Sequence, residues 1–220
     1  MARVYVQYGC GASAPEGWIN FDASFRLKME RSLVLRQIFR LGRCALFPAN
    51  VRLGDVTRRL PLPTGDAAGV YASHVLEHLP RGSVEAALKE TIRILAPGGR
   101  FRLIVPDLEW RVRQYLDAVT RGEAGASDQL LTSCLLGKKA VPSGFLSLAR
   151  ALYGRSEHLW MYDWLTLKAL LEKTGFVRVR RCAFGDAGDP MFDLVEDRAR
   201  YFEGNERELA IEAFKPGTSQ

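Results

Sequence analysis

Three titratable side chains, His74, Glu77 and His78, fall within five positions directly after the β-rich run Val70-Tyr71-Ala72. The surrounding stretch, Val70 to Val105, reads as a strand, a turn carrying these side chains, an amphipathic helix, a Gly98-Gly99 stop and a second strand. In open α/β sheets ligands collect outside the carboxyl ends of strands, so this cluster stands where chemistry is done. Imidazole titrates near neutrality and can take the proton of an attacking hydroxyl, which makes His74 the favoured general base. His158, in the segment HLWMYD, is the alternative base. The order His-x-x-Glu-His also matches a zinc-protease signature, but that signature needs one helix bearing both histidines. Pro80-Arg81-Gly82 interrupts any such helix. A divalent ion on His74, Glu77, His78 and His158 is chemically open, because imidazole and carboxylate suit several metals. Three neighbouring ligands without a clear fourth lead to the expectation that no metal is held, with His78 a structural histidine.

A second group of candidates lies near the start of the chain. Gly9-Cys10-Gly11 follows the alternating run Arg3 to Tyr8. Glycines there let backbone approach a ligand closely. A dinucleotide site would need a helix straight after them, because helix N-terminal amides hold the pyrophosphate. Ten residues separate Gly11 from Asp22, and they include Pro15 and Gly17 with no helical pattern. A ligand without phosphate loses less from the missing helix. Asp22, closing the second strand, is placed to accept hydrogen bonds from a ribose diol, or to cap a helix starting near Ser24. Asp55, just past the third strand, faces a similar choice between an adenine amino group and a turn.

The elements that must position these residues alternate. Strands are expected at Arg3 to Tyr8, Trp18 to Phe21, Ala49 to Leu53, Gly69 to Ala72, Phe101 to Val105, Phe176 to Cys182 and Glu208 to Phe214. Between them come a helix over Ser24 to Leu41, a helix capped by Ser83 and stopped at Pro97-Gly98-Gly99, and a short helix over Thr166 to Thr174 closed by Gly175. The second helix carries Val84, Ala87, Leu88, Thr91, Ile92 and Leu95 on its sheet-facing stripe. Asp107 to Gly154 reads as about three helices, part of an insertion spanning about 107–160. The fold expected is α/β and doubly wound (Rossmann-like): a seven-stranded, mostly parallel sheet with one antiparallel strand. Its first crossover helix is shortened or missing, and the helical insertion follows strand five. All of 1–220 is taken as one domain, a size that supports one full core.

The 220 residues carry a net charge of +6. Between Phe25 and Arg43 six basic residues (Arg26, Lys28, Arg31, Arg36, Arg40, Arg43) meet Glu30 alone, a balance of +5, so one segment holds nearly all the excess. A solvated charged face is the commoner meaning of such a run; the functional alternative is a phosphate-bearing partner, whether RNA, a nucleotide sugar or an anionic lipid surface. No eighteen-residue apolar run exists, and no leader is read at the N-terminus. Four cysteines, Cys10, Cys44, Cys134 and Cys182, show no paired spacing and suit a cytoplasmic protein. No Asp/Asn-Pro-Pro-Tyr and no Pro-Cys follows the fourth strand, which argues against amino-methylation of bases and against cysteine attack on pyrimidines.

On GWINFD, YASHVLEHL, APGGRFRLIVPDLE and HLWMYD, the chain resembles class I S-adenosylmethionine (SAM) dependent methyltransferases. It resembles in particular the small bacterial type 11-like members linked to surface-polysaccharide or lipopolysaccharide modification. The resemblance implies SAM as cofactor, with Gly9, Cys10 and Gly11 along its methionine part, Asp22 on the ribose, Asp55 on the adenine, and Ser73 and His74 beside the sulfonium. It also implies that Glu208 to Phe214 runs antiparallel beside the sixth strand. The expected activity is O-methylation (EC 2.1.1 class) of a saccharide or other small metabolite. Most relatives carry an acidic residue where this chain has Gln7, and a third glycine where it has Ala12-Ser13. Those departures keep a catalytically silent interaction module in view, and the Arg-rich helix 24–41 keeps a second alternative, an RNA methyltransferase recruited through it.

Overall fold

The protein is described by a computed structural model over residues 3–41, 46–137, 157–203 and 206–218. Cys44, Arg43 and the stretch 138–156, with its expected third helix, lie outside the described residues. The strands are β1 (Val4–Tyr8), β2 (Trp18–Asp22), β3 (Val51–Leu53), β4 (Ala67–Ser73), β5 (Leu95–Pro106), β6 (Val177–Arg181), β7 (Phe202–Glu203) and β8 (Glu206–Phe214). Seven of them form one sheet in the order β3-β2-β1-β4-β5-β8-β6, and the two-residue β7 pairs with β8. β8 is antiparallel to both neighbours; the β1–β2, β1–β4, β2–β3 and β4–β5 pairs are parallel. This is the doubly wound sheet expected from the sequence.

Residues alternate between the two faces of each strand. Val6, Tyr8, Phe21, Val70, Ala72, Phe101, Leu103, Leu209 and Ile211 form one apolar face. It is covered by α3 (Val84–Ile94), through Val84, Ala87 and Leu88, and by α6 (Trp164–Thr174), through Leu167 and Leu171. The opposite face is mixed. Tyr5, Trp18, Tyr71 and Ile104 lie beside the polar Gln7, Asn20 and Arg102.

No helix joins β1 to β2; the connection runs only from Gly9 to Gly17. A parallel pair ordinarily needs a crossover of about a dozen residues or more, usually helical. Side chains close the short loop instead. The Gln7 amide donates to the Ser13 carbonyl and to Asn20 Oδ1, both at 2.6 Å, and Asn20 Nδ2 donates to the Pro15 and Trp18 carbonyls. The sheet face bared by the missing helix is covered from far along the chain. A strap over residues 183–201 lays α7 (Pro190–Asp193) against it, and Phe192 meets Tyr5 and Trp18 edge-on at 6.2 and 5.4 Å between centroids. Arg102, 1% exposed, anchors the strap through ion pairs to Glu196 (2.6 Å) and Asp186 (2.8 Å), while Glu212 of β8 pairs with it at 2.8 Å. Nothing in the sequence reading assigned residues 183–207 a role.

Other expectations shift at their edges. The helix over Ser24 to Leu41 is two, α1 (Phe25–Glu30) and α2 (Leu33–Leu41). The break re-phases its apolar stripe: Leu27 is buried, but Ile38 and Leu41 are exposed. Buried Glu30 accepts from Arg26 at 3.0 Å and from the Phe47 N–H, and Arg26 lies over the Phe39 and Phe47 rings, so one of the basic residues is a packing element. Ser24 caps α1 as an acceptor of the Leu27 N–H. Ser83 makes no side-chain cap, and α3 ends at Ile94, not at the glycines. Leu95 already pairs with Ala67, so the strand begins early and Gly98 (φ +73°) bends its opening residues. β3 begins at Val51 and β4 at Ala67. α6 starts two residues early because Asp163 caps it, and Gly175 ends it in the left-handed region as expected. After β5 come α4 (Leu108–Thr120) and α5 (Ala126–Ser133). No helix among the described residues is long and apolar enough to cross a membrane.

Candidate active site at the carboxyl edge

β1 and β4 are neighbours, and their carboxyl ends meet. Gly9 and Gly11 both take positive φ, +64° and +55°. A Cβ at Gly9 would strike the Val75 side chain, whereas one at Gly11 would meet open space, so Gly11 is demanded by conformation alone. Cys10 between them is buried, and burial, with the Asp22 charge adding to it, pushes its thiol up to about 12. It is therefore a packing group and not a nucleophile.

Asp22 turns its carboxylate onto this loop. One oxygen accepts the Gly11 N–H at 3.0 Å and the other the Ser24 N–H at 2.8 Å. The role expected as one of two options, holding the entry to α1, is thus filled, and the glycine loop is tied to the same group. A carboxylate has about four lone-pair sites, so capacity remains for a diol. Asp55 makes a turn, accepting from the Thr57 N–H (2.9 Å) and hydroxyl (2.7 Å). The Gly54 N–H beside it donates to the Asp22 carbonyl, which keeps both acids on one edge.

A cavity opens between the two strand ends, lined by Gly9, Cys10, Tyr71 and Ser73 below and by Val195, Asp197 and Arg200 of the strap above. The buried Tyr71 and Ser73 hydroxyl oxygens there make no hydrogen bond of good geometry. Burial raises the Tyr71 phenol pKa. Buried polar atoms without partners are uncommon and point to an absent ligand or water. The cavity measures about 70 Å³, far below the ~300–1,000 Å³ of small-molecule sites. The strap residues that narrow it were not foreseen. Their sequence signal was the pair of short cap motifs, Asp189-Pro190 and Asp197, that begin α7 and α8 (Arg198–Tyr201).

His74 sits at the end of β4 with φ +55°, a strained value for a residue with a Cβ. Nδ1 lies 3.1 Å from Glu77 Oε1, and Nε2 lies 3.3 Å from the Arg200 carbonyl. Burial pulls the imidazole pKa down, but the Glu77 hydrogen bond and the Glu77 and Glu208 charges outweigh it, so the net shift is upward. Glu77 is wholly buried on the turn Leu76–His78, and its second oxygen has no partner. His158 does not join His74. It packs against His78, with ring centroids 5.0 Å apart, and burial lowers its pKa. The structure thus brings together Glu77, His78 and His158, with His74 held on Oε1 of Glu77. Trp160 is exposed and Tyr162 is buried, its phenol pushed up to about 12 by burial.

A doubly wound sheet with a glycine loop and an acid at its carboxyl edge defines a nucleoside-type binding fold. A methyltransferase-domain family model matches residues 12–180, and the chain belongs to that family. No curated protein matches it. Among solved structures, a SAM-dependent methyltransferase from Methanosarcina mazei is 13% identical, with a TM-score of 0.51, over 99% of this chain and 94% of that one. One from Archaeoglobus fulgidus is 19% identical, with a TM-score of 0.49, over 97% and 86%. The phosphoethanolamine N-methyltransferase 2 of Haemonchus contortus, in complex with S-adenosyl-L-methionine, is 11% identical, with a TM-score of 0.48, over 98% of this chain and 49% of that one.

Proposed function

We propose that the protein is a SAM-dependent methyltransferase acting in the cytoplasm on a hydroxyl of a saccharide or other small metabolite. The observation that carries this reading is the pair of buried hydroxyls, Tyr71 and Ser73, neither with a hydrogen bond of good geometry, on a cavity floored by the left-handed glycine loop. Family membership supports SAM as the cofactor, and this reading puts its reactive end at that cavity. Gly9, Cys10 and Gly11 would lie along the methionine part, Asp22 would take the ribose, Asp55 the adenine, and Ser73 the end that carries the reactive methyl. The bound cofactor supplies a methyl group already activated on a sulfonium, so positioning of the acceptor gives much of the rate.

His74 is the base in this reading. Glu77 holds Nδ1, which orients the ring and leaves Nε2 to take the acceptor proton. Nε2 now faces the Arg200 carbonyl, and Arg200 also lines the cavity. One outward displacement of the strap therefore enlarges the cofactor site and frees the base. His158 packs against His78 and is the lesser candidate. Lys28, Arg31 and Arg40 are exposed on α1 and α2 and offer a phosphate-bearing acceptor a landing place. The bacterial surface-polysaccharide group that the sequence resembles supplies the acceptor class.

The small cavity favours one rival, a silent module whose strap never opens. Calorimetry with S-adenosylhomocysteine, followed by transfer of labelled methyl from SAM to a panel of saccharide acceptors, separates them. Binding that Asp22→Ala abolishes supports the enzyme. No binding at millimolar cofactor selects the silent module. Transfer to RNA, with affinity falling steeply with salt, selects an RNA methyltransferase.

A further inference from the structure

α1 starts at the carboxyl edge, because Asp22 accepts the Ser24 N–H and Ser24 caps the helix. Its first residue, Phe25, is 59% exposed, and Lys28, one turn on, is exposed on the same stripe. α2 repeats this pairing of apolar and basic residues. Its Phe39 is buried beneath Arg26 and ties the helix to the body of the protein. At roughly 100° per residue, the arc opposite Phe39 carries Arg40, Gln37, Leu41 and Ile38 in that order. All four are exposed, Ile38 to 57% and Leu41 to 84%. The apolar stripe of α2 is therefore wider than the surface that covers it.

Among the described residues, the ion pair of this segment is Arg26 with Glu30. Lys28, Arg31, Arg36 and Arg40 have no acidic partner there, so four cations stand beside three exposed apolar side chains. A basic run with a polar outer face is simply solvated; Phe25, Ile38 and Leu41 set this one apart. RNA suits the cations, but Ile38 and Leu41 have no π face on which a base can stack. A second copy meeting the same face would set these cations against their own kind. An anionic bilayer surface satisfies both sets. Its headgroups carry the opposite charge, its acyl boundary takes apolar side chains, and Lys and Arg stems lie along that boundary with their charged ends in water.

We propose that α1 and α2 form a docking surface for an anionic lipid bilayer. Phe25, Ile38 and Leu41 enter the headgroup boundary, and Lys28, Arg31, Arg36 and Arg40 meet the lipid phosphates. The protein lies on the bilayer and does not span it through any described helix, none of which is long and apolar enough. The surface begins at the residue after Ser24, whose amide Asp22 holds, so docking sets the carboxyl edge beside the lipid. The inference goes beyond the methyl-transfer reading and needs no cofactor.

The test is co-sedimentation of the full chain with vesicles of mixed phosphatidylglycerol and phosphatidylcholine, against vesicles of phosphatidylcholine alone. Expected is binding to the mixed vesicles that weakens with added salt, and much weaker binding to the neutral ones. Each cation near such a surface contributes about fivefold, so Arg31→Gln with Arg40→Gln should weaken binding by roughly 10–30-fold. Ile38→Ser with Leu41→Ser should weaken it by at least ~10-fold while leaving the salt dependence in place. All four positions are exposed, so both variants should melt with the parent, and Phe25→Ser with Lys28→Gln replaces either one that does not. Arg113→Gln, at an exposed arginine of α4, should bind as the parent does. No binding to the mixed vesicles, equal binding to the neutral ones, or binding untouched by Ile38→Ser with Leu41→Ser overturns the proposal. RNA binding in place of vesicle binding, or lipid-free self-association abolished by Leu41→Ser, overturns it in favour of that partner. None of these readouts depends on methyl transfer, so a chain without activity still tests the surface.

Discussion

His74 and Arg200 are 126 positions apart, yet Nε2 of the first lies 3.3 Å from the carbonyl of the second. The contact joins the end of β4 to the strap that replaces a missing crossover helix. Arg200 also lines the cavity between the ends of β1 and β4, so in the proposed reading a movement of the strap would alter the cavity and the His74 contact together.

Loosening that strap should strengthen cofactor binding. Asp197 caps the four-residue helix over Arg198–Tyr201 through the Ala199 N–H, at 2.9 Å. Losing a cap costs about 1 kcal/mol. If the cofactor binds only the opened form, Asp197→Ala should tighten Kd by up to about fivefold. Calorimetry with S-adenosylhomocysteine reads this, and an unchanged or weaker Kd rejects gating by the strap.

Gln7→Glu restores the acidic residue common among relatives and should still be harmful. The carboxylate would face the Ser13 carbonyl and Asn20 Oδ1, both acceptors, in a buried site. A buried charge without donors costs at least about 2 kcal/mol. Urea unfolding should show that loss, and a neutral or stabilising result would mean the loop is not held by this amide.

Arg102→Leu should be among the most damaging single changes. It leaves Glu196 buried beneath the strap without its ion-pair partner, while Glu212 keeps Arg180 at 2.7 Å and Arg100 at 3.5 Å. Breaking one side of such a buried cluster costs about 3–5 kcal/mol. The complementary double change, Arg102→Leu with Glu196→Gln, should recover part of it. Thermal melts of the two variants decide the point.

Glu90 sets a pH dependence. Burial raises its pKa, but the Arg93 hydrogen bonds and the Leu60 N–H outweigh burial and lower it overall. A carboxyl lowered in the folded state adds stability that is complete above its unfolded value, ~4.3. That stability disappears as pH falls through the folded value. The Tm gap between the parent and Glu90→Gln should therefore be largest near neutrality and shrink below about pH 4. A gap constant with pH would mean the ion pair with Arg93 contributes nothing.

Much of the sheet was readable because strand periodicity and punctuation are local signals. Phe101, Leu103 and Val105 alternate with Arg102 and Ile104, and Gly175 ends its helix where a left-handed residue was expected. Helix limits were less readable. Leu95 belongs by pattern to the α3 stripe, but pairing with Ala67 takes it into β5. The split between Glu30 and Leu33 was invisible for a related reason. The demand of buried Glu30 for the Phe47 N–H is made by a residue seventeen positions away.

The order of elements, the loop without a helix and the polar residues at the strand ends were fixed by residue type and spacing alone, since these act over a few neighbouring positions. What partners each polar group found was decided only in three dimensions. Arg102 reads as a surface residue of an alternating strand until the strap closes over it. Asp22 reads as a ligand for a sugar or a helix cap, and in the fold the Gly11 and Ser24 amides take two of its lone pairs. His158 reads as a distant second base until folding sets it against His78 and Glu77. Burial and charge pairing are sums over groups remote in the chain, so no local pattern records them.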